Sequence, residues 1–539
     1  MSNTISSYGV LDLFAGPGGL AEGFSEVRDS SDNRIFNIDL SVEKDKHAHS
    51  TLQLRAFLRH FADQFPAMYY EYVNGNGTLE DLIKCFPNIW RRASREAVCR
   101  ELGQARTSRF LSLRIKRMKA LFGDRTVLIG GPPCQAYSLV GRARNRGTEG
   151  YVPEQDSRHF LYREFLKVLE ELQPAAFVME YVKGMLSSSV DGSLIARTIL
   201  KDLETASSGY TLIPLATNRK DSTETNKPGD FVIKAEEHGI PQARHRVIIV
   251  GFRTPLLAQH RLNDILALAQ IPVRPAAIVK DVLTGMSRLR SSISFRASRD
   301  IERPDWFDHR TKAAKRLTKY FEKSEPEMAK VFKAIAAKKP GERGCNLNAD
   351  TVRNSRVSNS CPSELASWIC DPHLSKLSNT ETRSHMASDL DRYLFASTFA
   401  KIKGFSPKSQ DFPAFLAPAH LNWNTGNFAD RFRVQLSGRP SSTVTSHISK
   451  DGHFYIHPDP EQCRSLTVRE AARLQTFPDN YHFLGPRTQQ YHQVGNAVPP
   501  YLSFQIAQTI LPILNLITGV SGDQRQESMQ PNVEAFSNG

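Results

Sequence analysis

The first sixty residues carry two apolar runs of strand length with a glycine-rich turn between them. Residues 10–14 are apolar apart from one aspartate and lead into the turn 15–19, after which large apolar residues recur at helical spacing. Apolar and polar residues then alternate over 36–42, which is typical of a strand, and Glu43 follows directly. Strand, glycine-rich turn, helix and acid-terminated strand predict the first half of a nucleotide-binding α/β unit. A tight turn that binds no ligand remains the alternative.

Three further apolar runs have the length of strands: 127–129, 177–179 and 247–250. The first leads into Gly-Gly-Pro-Pro-Cys-Gln at 130–135, the second leads into Glu180, and the third follows Gln-Ala-Arg-His-Arg at 242–246. Ligands of open α/β sheets collect at the carboxyl ends of the strands. We therefore predict an α/β fold with helices on both faces of a Rossmann-like sheet, and one crevice that these clusters share.

The order of these patterns predicts a catalytic domain in two parts with a smaller domain between them. Residues 1–253 form the first part, which includes a helical, basic insertion at 52–122. The strand-and-turn pattern is lost over 254–430 and returns over 431–518, where Thr-Val-Arg-Glu forms a capping box at the start of a helix. The polar tail 519–539 is predicted to be disordered.

The basic insertion has one unusual stretch. Between Arg91 and Lys119 there are ten basic residues and only two acids, while apolar residues recur at helical spacing. One face of this helix can pack while the other stays positive. Contact with phosphate groups and plain solvated surface both explain the pattern.

Charge and composition narrow the class of protein. The chain of 539 residues has 70 Lys+Arg and 56 Asp+Glu, a net charge of +14, which suggests a polyanionic partner and first of all nucleic acid. No run approaches the roughly 18 apolar residues of a membrane span, and the amino terminus lacks the pattern of a secretory signal. The seven cysteines are scattered and match no zinc motif, so we expect a reducing, cytoplasmic location and no metal site.

Cys134 and Glu180 are the candidate reactive groups. Prolines stiffen the loop before Cys134, which follows a predicted strand beside the nucleotide-type site, so a nucleophilic role is favoured over that of a buried apolar residue. Glu180 follows 46 positions later, with room for one crossover helix between two parallel strands. A structural ion pair of Glu180 with Arg244 or Arg246 is the alternative.

Four blocks in order carry a family resemblance. They are Asp-Leu-Phe-Ala-Gly-Pro-Gly-Gly at 12–19, Gly-Pro-Pro-Cys-Gln at 131–135, Gln-Ala-Arg-His-Arg at 242–246 and Gly-Asn-Ala-Val-Pro-Pro at 495–500. This ordered set resembles the signature of the DNA (cytosine-5) methyltransferases, and it covers about 8–253 and 431–510. The resemblance implies a Rossmann-like methyltransferase sheet and makes 254–430 the target-recognition domain.

The resemblance also implies site residues. For S-adenosylmethionine, with Phe14 beside the adenine and Glu43 on the ribose, they are Phe14, Ala15, Gly16, Pro17, Gly18, Gly19, Leu20, Glu43, Pro133, Asn496 and Val498. For catalysis they are Cys134, Gln135, Glu180, Arg244 and Arg246. For nucleic acid they are Ser138, Gln242 and the arginines Arg142, Arg144 and Arg146 of a glycine-containing loop suited to close over a phosphate backbone.

The implied reaction is methylation of a flipped cytosine in double-stranded DNA through a bond between Cys134 and C6. Two departures from the family pattern stand out. Tyr181 takes the place of the usual Asn after the catalytic Glu, and no acid clearly fits the adenine-binding position, for which Asp81 and Asp124 are guesses. A tRNA cytosine-5 methyltransferase and a catalytically idle DNA-binding relative remain alternatives. We expect a monomer, with a cognate restriction endonuclease as a possible partner.

Overall fold

The computed structural model describes residues 7–61, 64–133, 161–187, 189–190, 193–216, 226–294, 305–338, 355–419, 423 and 429–520. The predicted site residues that lie outside these ranges are Cys134, Gln135, Ser138, Arg142, Arg144 and Arg146. Of the predicted disordered tail 519–539, residues 521–539 lie outside them too.

The strands of the described residues are β1 Tyr8–Leu13, β2 Phe36–Glu43, β3 Ala97–Cys99, β4 Thr126–Gly130, β5 Ala176–Val182, β6 Ser189–Val190, β7 Ser193–Leu194, β8 Tyr210–Ile213, β9 Val232–Lys234, β10 Gln242–Ala243, β11 His245–Arg253 and β12 Ser441–Ser442. Eight of them form one sheet in the order β3-β2-β1-β4-β5-β11-β8, with β9 paired to β11. The first five strands are parallel, whereas β11 runs antiparallel to β5. The prediction that the strands before Cys134 and at Glu180 are parallel neighbours is confirmed.

The helices are α1 Gly19–Ser25, α2 Lys46–Arg59, α3 Ala67–Val73, α4 Leu79–Cys85, α5 Pro87–Glu96, α6 Ala105–Phe122, α7 Leu161–Leu172, α8 Ile195–Thr205, α9 Thr254–Leu257, α10 Leu262–Leu268, α11 Val279–Leu283, α12 Trp306–Phe321, α13 Pro326–Ala337, α14 Ser363–Ile369, α15 Ala387–Lys403, α16 Val468–Leu474, α17 Arg487–Asn496 and α18 Pro500–Thr518. Side chains alternate between the two faces of each strand. On β1, Val10 therefore joins the core under α1 and α18, while Leu11 joins the core under α6 and α7. Helices on both faces are confirmed.

The insertion at 52–122 is not wholly helical, which corrects the prediction. Its residues 97–99 form β3, which pairs in parallel with the end of β2 and becomes the edge of the sheet. The strand is only three residues long, too short for a period-two pattern to be recognised beside five helices. Helix α6 follows β3 and buries Leu111, Ile115 and Met118 against the sheet, as the helical spacing predicts.

The region 254–430 is divided between two cores, so its predicted boundary at 254 is corrected. Residues of α9, α10, α11 and α14 belong to the core under the sheet. A separate aromatic core begins near Ile293 and joins α12, α13 and α15. Residues of the returning segment, among them Phe432 and Ile456, also belong to this second core. Polar and aromatic helices carry no mark of which core they join, which is why the sequence did not place the boundary.

The end of the chain folds back onto its beginning. The hydroxyl of Ser503 on α18 donates to Leu20 O of α1 at 2.8 Å, and that of Tyr8 on β1 donates to Asn515 Oδ1 at 2.9 Å. The helical stretch Arg487–Thr518 is long and apolar enough to cross a membrane, yet 61% of its most apolar window is buried inside the protein. Such burial is typical of the core helix of a globular domain.

Candidate active site at the carboxyl edge of the sheet

The glycine-rich turn connects β1 to α1 at the carboxyl edge of the sheet. Phe14, Gly16 and Gly18 have φ angles of 56°, 57° and 101°, in the left-handed region that glycine tolerates best. A Cβ atom on Gly16 would meet nothing within 4 Å, so open space lies beside the turn. The phenolic hydroxyl of Tyr481 donates to Pro17 O and fixes the turn from the other side.

The closing segment 495–498 lies directly against this turn. A Cβ atom on Gly19 would sit 2.4 Å from Val498 O, so only glycine permits this approach. Gly495 is in a similar position, because its Cβ would lie 2.3 Å from Ser446 N. Val498 is buried and Asn496 is exposed. The structure thus brings Val498, in the segment that carries Asn496, directly against the turn at 14–19.

Glu43 is the last residue of β2, and its carboxylate contacts the glycine-rich turn 15–19. Oε2 accepts a hydrogen bond from Gly16 N at 2.8 Å, and Oε1 accepts one from Asp45 N at 2.7 Å. Burial raises the pKa of Glu43 above its ordinary value, against the lowering effect of these backbone donors. The carboxylate is held in place by backbone groups, with lone pairs left for a hydroxyl-bearing ligand.

Glu180 and Arg246 form an ion pair at the same edge. Arg246 Nε lies 2.8 Å from Glu180 Oε1, and both side chains are 12% exposed. The pair forms because β11 runs antiparallel to β5 and begins where β5 ends, so that Arg246 pairs with Val182. A Cβ atom on Gly131 would lie 3.1 Å from Glu180 Oε2, which places the carboxylate beside the segment that leads to Cys134. The ion pair expected as an alternative role for Glu180 is present.

Arg244 faces the interior, so its predicted place among the catalytic residues is corrected. It is only 2% exposed, and its guanidinium donates to Val444 O at 2.7 Å, to Ala497 O at 2.8 Å and to Gly495 O at 3.4 Å. These bonds attach the closing segment to the sheet. Arg244 is therefore a positioning residue, which holds the closing segment in place without facing the crevice.

Gln242 is fully buried, which corrects the prediction that it contacts nucleic acid. Its Nε2 donates to Leu474 O at 3.1 Å and its Oε1 accepts from Val444 N at 2.7 Å. A buried amide must satisfy its donors and its acceptor, and here backbone groups of two distant segments do so. The side chains at 242 and 244 alternate with Arg246 along the chain, but only the tertiary contacts decide which one reaches the crevice.

Two residues of the site were not recognised from the sequence. Tyr481, which fixes the turn through Pro17 O, is 464 positions away and has no motif of its own. Asp12 on β1 is fully buried, and neither carboxylate oxygen has a hydrogen-bond partner in the described part of the chain. Burial raises the pKa of Asp12 well above its ordinary value. An acid inside the apolar run 10–14 is the one signal that could have singled it out.

The residues present fit an adenosyl-type cofactor. The space beside Gly16 is open where a side chain would fill it, and the carboxylate of Glu43 borders that space. Phe14, Ala15 and Pro133 are at the same edge, because the parallel strands β1 and β4 end there. Five parallel strands that end at such a site are typical of the class of Rossmann-like methyltransferases that use S-adenosylmethionine.

Comparison with known proteins identifies the family. The family described as C-5 cytosine-specific DNA methylase matches residues 107–512. The chain is similar to type II methyltransferase M.Bpa9945I of Bacillus paralicheniformis, with 32% identity over 94% of this chain and 99% of that protein. It is 28% identical to type II methyltransferase M.AgeI of Thalassovita gelatinovora over 72% of this chain and 83% of that protein.

A third relative names the reaction. The chain is 24% identical to the DNA (cytosine-5-)-methyltransferase M.ApeKI of Aeropyrum pernix, over 73% of this chain and 82% of that protein. The chain belongs to the C-5 cytosine-specific DNA methylase family. It is a DNA (cytosine-5-)-methyltransferase whose methyl donor is S-adenosylmethionine, as the resemblance implied.

Proposed function

We propose that Cys134, Glu180 and Arg246 carry out the methylation of a cytosine flipped out of duplex DNA. The ion pair of Glu180 with Arg246, beside the segment that leads to Cys134, is the observation that supports this assignment most directly. C6 of cytosine is inaccessible inside a duplex, so the base must leave the helix to reach this edge of the sheet.

The roles follow from the chemistry of cytosine. The Cys134 thiolate adds to C6 while the protonated form of Glu180 donates its proton to N3 and becomes the carboxylate that pairs with Arg246. This transfer gives C5 the electron density that it lacks. Bound S-adenosylmethionine supplies an electrophilic methyl group, which C5 takes. A base then removes the C5 proton, the C6–S bond breaks, and Glu180 recovers the proton from N3. Arg246 holds the carboxylate in place by its ion pair at 2.8 Å and offers a fixed cation where charge develops.

Replacement of the nucleophile tests this assignment. We expect Cys134→Ser to reduce transfer of labelled methyl from S-adenosylmethionine to duplex DNA to background, with DNA binding retained. The matched control is Cys85→Ser, since Cys85 is exposed on α4, and we expect it to retain full activity. Activity that survives in Cys134→Ser would remove Cys134 as nucleophile. Label on tRNA alone would favour an RNA substrate, and no label on either would favour an idle relative.

The acid is tested separately. Glu180→Gln keeps the shape of the side chain but cannot donate a carboxylic proton to N3. We expect a loss of about 10²- to 10⁴-fold in the rate of methyl transfer, which is typical for removal of a general acid, with little change in cofactor binding. A rate within threefold of that of the unchanged protein would assign Glu180 a structural role only.

The biological setting is inferred from the relatives, which are named type II methyltransferases. We infer a bacterial restriction–modification role with a cognate endonuclease, a cytoplasmic location at the nucleoid, and a monomer on DNA. Bisulfite sequencing of DNA from cells that express the protein would return both the modified base and its sequence context. Ser138, Arg142, Arg144 and Arg146 stay predicted DNA contacts.

A further inference from the structure

A cavity of about 730 Å³ lies between the region 254–430 and the segment 431–518, in which the chain returns to the catalytic domain. Its walls are α11 with the residues that follow it, the end of α15, and the loops 434–439 and 457–462. Besides Arg288, three cations border it, namely Lys280 on α11, Lys401 on the last turn of α15 and Arg439 in the first loop. All three are exposed, and none forms an ion pair with any other described residue.

The acids of this cavity are already neutralised. Glu470 is paired with Arg464 at 2.6 Å. Asp459 is paired with Arg288 at 3.0 Å, while Glu461 next to it accepts from Arg288 and from Lys338. Arg288 and Lys338 together match the charge of the two acids. The net charge of the lining is therefore set by the three unpaired cations.

The floor of the cavity adds no negative charge of its own. His457 is buried there, and burial lowers its pKa to about 4, so it is neutral at pH 7. It lies 3.6 Å from Glu470, which belongs to the pair with Arg464. A concave surface with a balanced floor and about three positive charges at its rim suits a phosphodiester backbone.

Backbone hydrogen bonds hold the residues Lys280 and Arg439 next to each other. Val279 N donates to Arg439 O at 3.0 Å, and Lys280 N donates to Ser437 O at 2.9 Å. The loop 434–439 is thereby attached to the start of α11. Lys280 and Arg439 extend from a single rigid element, while Lys401 extends from the separate helical core across the cavity.

The cavity is close to the candidate active site along the chain. Ser441 follows Arg439 by two residues and pairs with Gln242, which precedes Arg246 by four. Six residues of extended chain and one strand spacing place Arg439 within about 25 Å of Arg246. At about 3.4 Å per base pair this is about seven base pairs, so one duplex can reach both places.

We propose that Lys280, Lys401 and Arg439 form a phosphate clamp that binds the DNA backbone beside the flipped cytosine. The inference rests on the proposed function, since it assumes duplex DNA at the carboxyl edge. Phosphate contacts fix the register of a duplex without reading its sequence, so this clamp positions the DNA and leaves the choice of bases to other side chains.

The test compares two double variants that each remove one lysine and one arginine. Lys280→Ala/Arg439→Ala removes two members of the clamp. Lys201→Ala/Arg197→Ala is the matched control, because both residues are exposed on α8, which leads to the amino end of β8, and lie outside the basic stretch 91–119. Affinity for a labelled 30-base-pair duplex of random sequence is measured from low to moderate salt.

Each phosphate contact contributes about 0.9 to the slope of log K against log salt. We expect the clamp variant to lose about 1.8 of that slope and roughly 10- to 100-fold of affinity at 0.1 M salt, with the methylated sequence context unchanged. The control variant should stay within about threefold of the unchanged protein. Equal losses in the two variants, or a changed sequence context, would overturn the clamp.

A charge-preserving variant separates charge from loop shape. Lys280→Arg/Arg439→Lys keeps both charges, and we expect it to bind within about threefold of the unchanged protein; a loss as large as that of the alanine variant would overturn the clamp. The unchanged protein separates this inference from the proposed function. If it neither binds nor methylates the duplex, the proposed function fails; if it does both and the clamp variant matches the control, only the clamp fails.

Discussion

The central strands β1 and β4 and the segment around α16 are both fully buried, but they are stabilised in opposite ways. The sheet is covered on both faces by apolar side chains. Around α16, by contrast, Arg464, Arg469 and Arg473 have no exposed surface at all. We call these three residues the arginine joint, since each of them bonds to backbone carbonyls of distant segments.

The partners of the arginine joint come both from the region 254–430 and from the segment 431–518 of the catalytic domain. Arg473 pairs with Asp479 and donates to Val282 O and Arg356 O. Arg469 donates to Ser378 O, Pro478 O and Tyr481 O. Arg464 pairs with Glu470 and donates to Leu289 O. A guanidinium can satisfy several carbonyls at once, so one short helix can connect the region 254–430 to the catalytic domain.

The difference teaches where the fold is vulnerable. An apolar core loses stability in proportion to the atoms removed. A buried ion pair that loses one partner leaves the other charged and desolvated, which costs more than the net worth of the pair. The joint should therefore respond to substitution and to acid more strongly than the sheet.

The largest effect is expected from Arg473→Met. It leaves the carboxylate of Asp479 buried without its guanidinium, and we expect a loss of about 3–5 kcal/mol in the free energy of unfolding. Ile249→Val in the sheet is the comparison, with an expected loss of about 0.5–1.5 kcal/mol. Urea unfolding monitored by circular dichroism measures both. The contrast between the regions fails if the two losses are equal.

A second variant sharpens this result. Adding Asp479→Asn to Arg473→Met removes the uncompensated charge while keeping most of the side chain. We expect the double variant to be more stable than Arg473→Met alone, since removal of both charges avoids a buried ion. A double variant that loses as much as the sum of the two single changes would show that packing, and not charge, stabilises the joint.

An intermediate effect is expected from acid. Burial lowers the pKa of His482 and of His457 to about 4, each near an arginine of the joint. The unfolded chain then binds more protons than the folded one between about pH 6.5 and pH 4, so the free energy of unfolding falls as the pH drops through this window. We expect a loss on the order of 3 kcal/mol for each histidine.

The pH dependence is attributable to single residues. In His482→Gln, the fall in urea midpoint between pH 7 and pH 4 should be smaller than in the unchanged protein. Below that window Glu470 takes over, because Arg464 outweighs the raising effect of burial and holds its pKa at about 2. An unchanged pH profile in His482→Gln would assign the acid sensitivity to another part of the molecule.

The smallest effect is expected at the start of α16. Thr467 Oγ1 accepts from Glu470 N at 3.2 Å, and Glu470 Oε2 accepts from Thr467 N at 2.7 Å. Thr467→Val keeps the shape and removes the acceptor, so we expect a loss of about 1 kcal/mol. Thr467→Ser, which keeps the hydroxyl, should lose less. Equal losses in the two variants would point to packing of the methyl group.

The capping box shows what local pattern can predict. Thr467 and Glu470 are the N-cap and N3 residues of α16, as expected from the sequence. The turn at 15–19 and the strands before Cys134 and at Glu180 were predicted as well. These features depend on residues close in sequence, or on the ends of parallel strands, which always meet at one edge of a sheet.

Long-range contacts explain the corrections. Arg244 and Gln242 lie in the same motif as Arg246, yet they turn inward, because Val444, Leu474 and Ala497 supply carbonyls and amides that only folding brings near. The strand β3 exists because β2 offers a free edge. Neither the orientation of these side chains nor the pairing of β3 can be predicted from the period of apolar residues or from the spacing of motifs.

The sequence by itself determined the α/β class, the order of the chemical motifs and the family. These conclusions depend on the periodic spacing of apolar residues and on glycine-rich turns, which are patterns of residues close together in the chain. Only the tertiary structure decided that Glu180 is paired with Arg246, that three arginines around α16 join the two regions, and that Lys280, Lys401 and Arg439 border one cavity. The physical reason is that a charge can be buried or left unpaired only in relation to partners that lie far away in the chain.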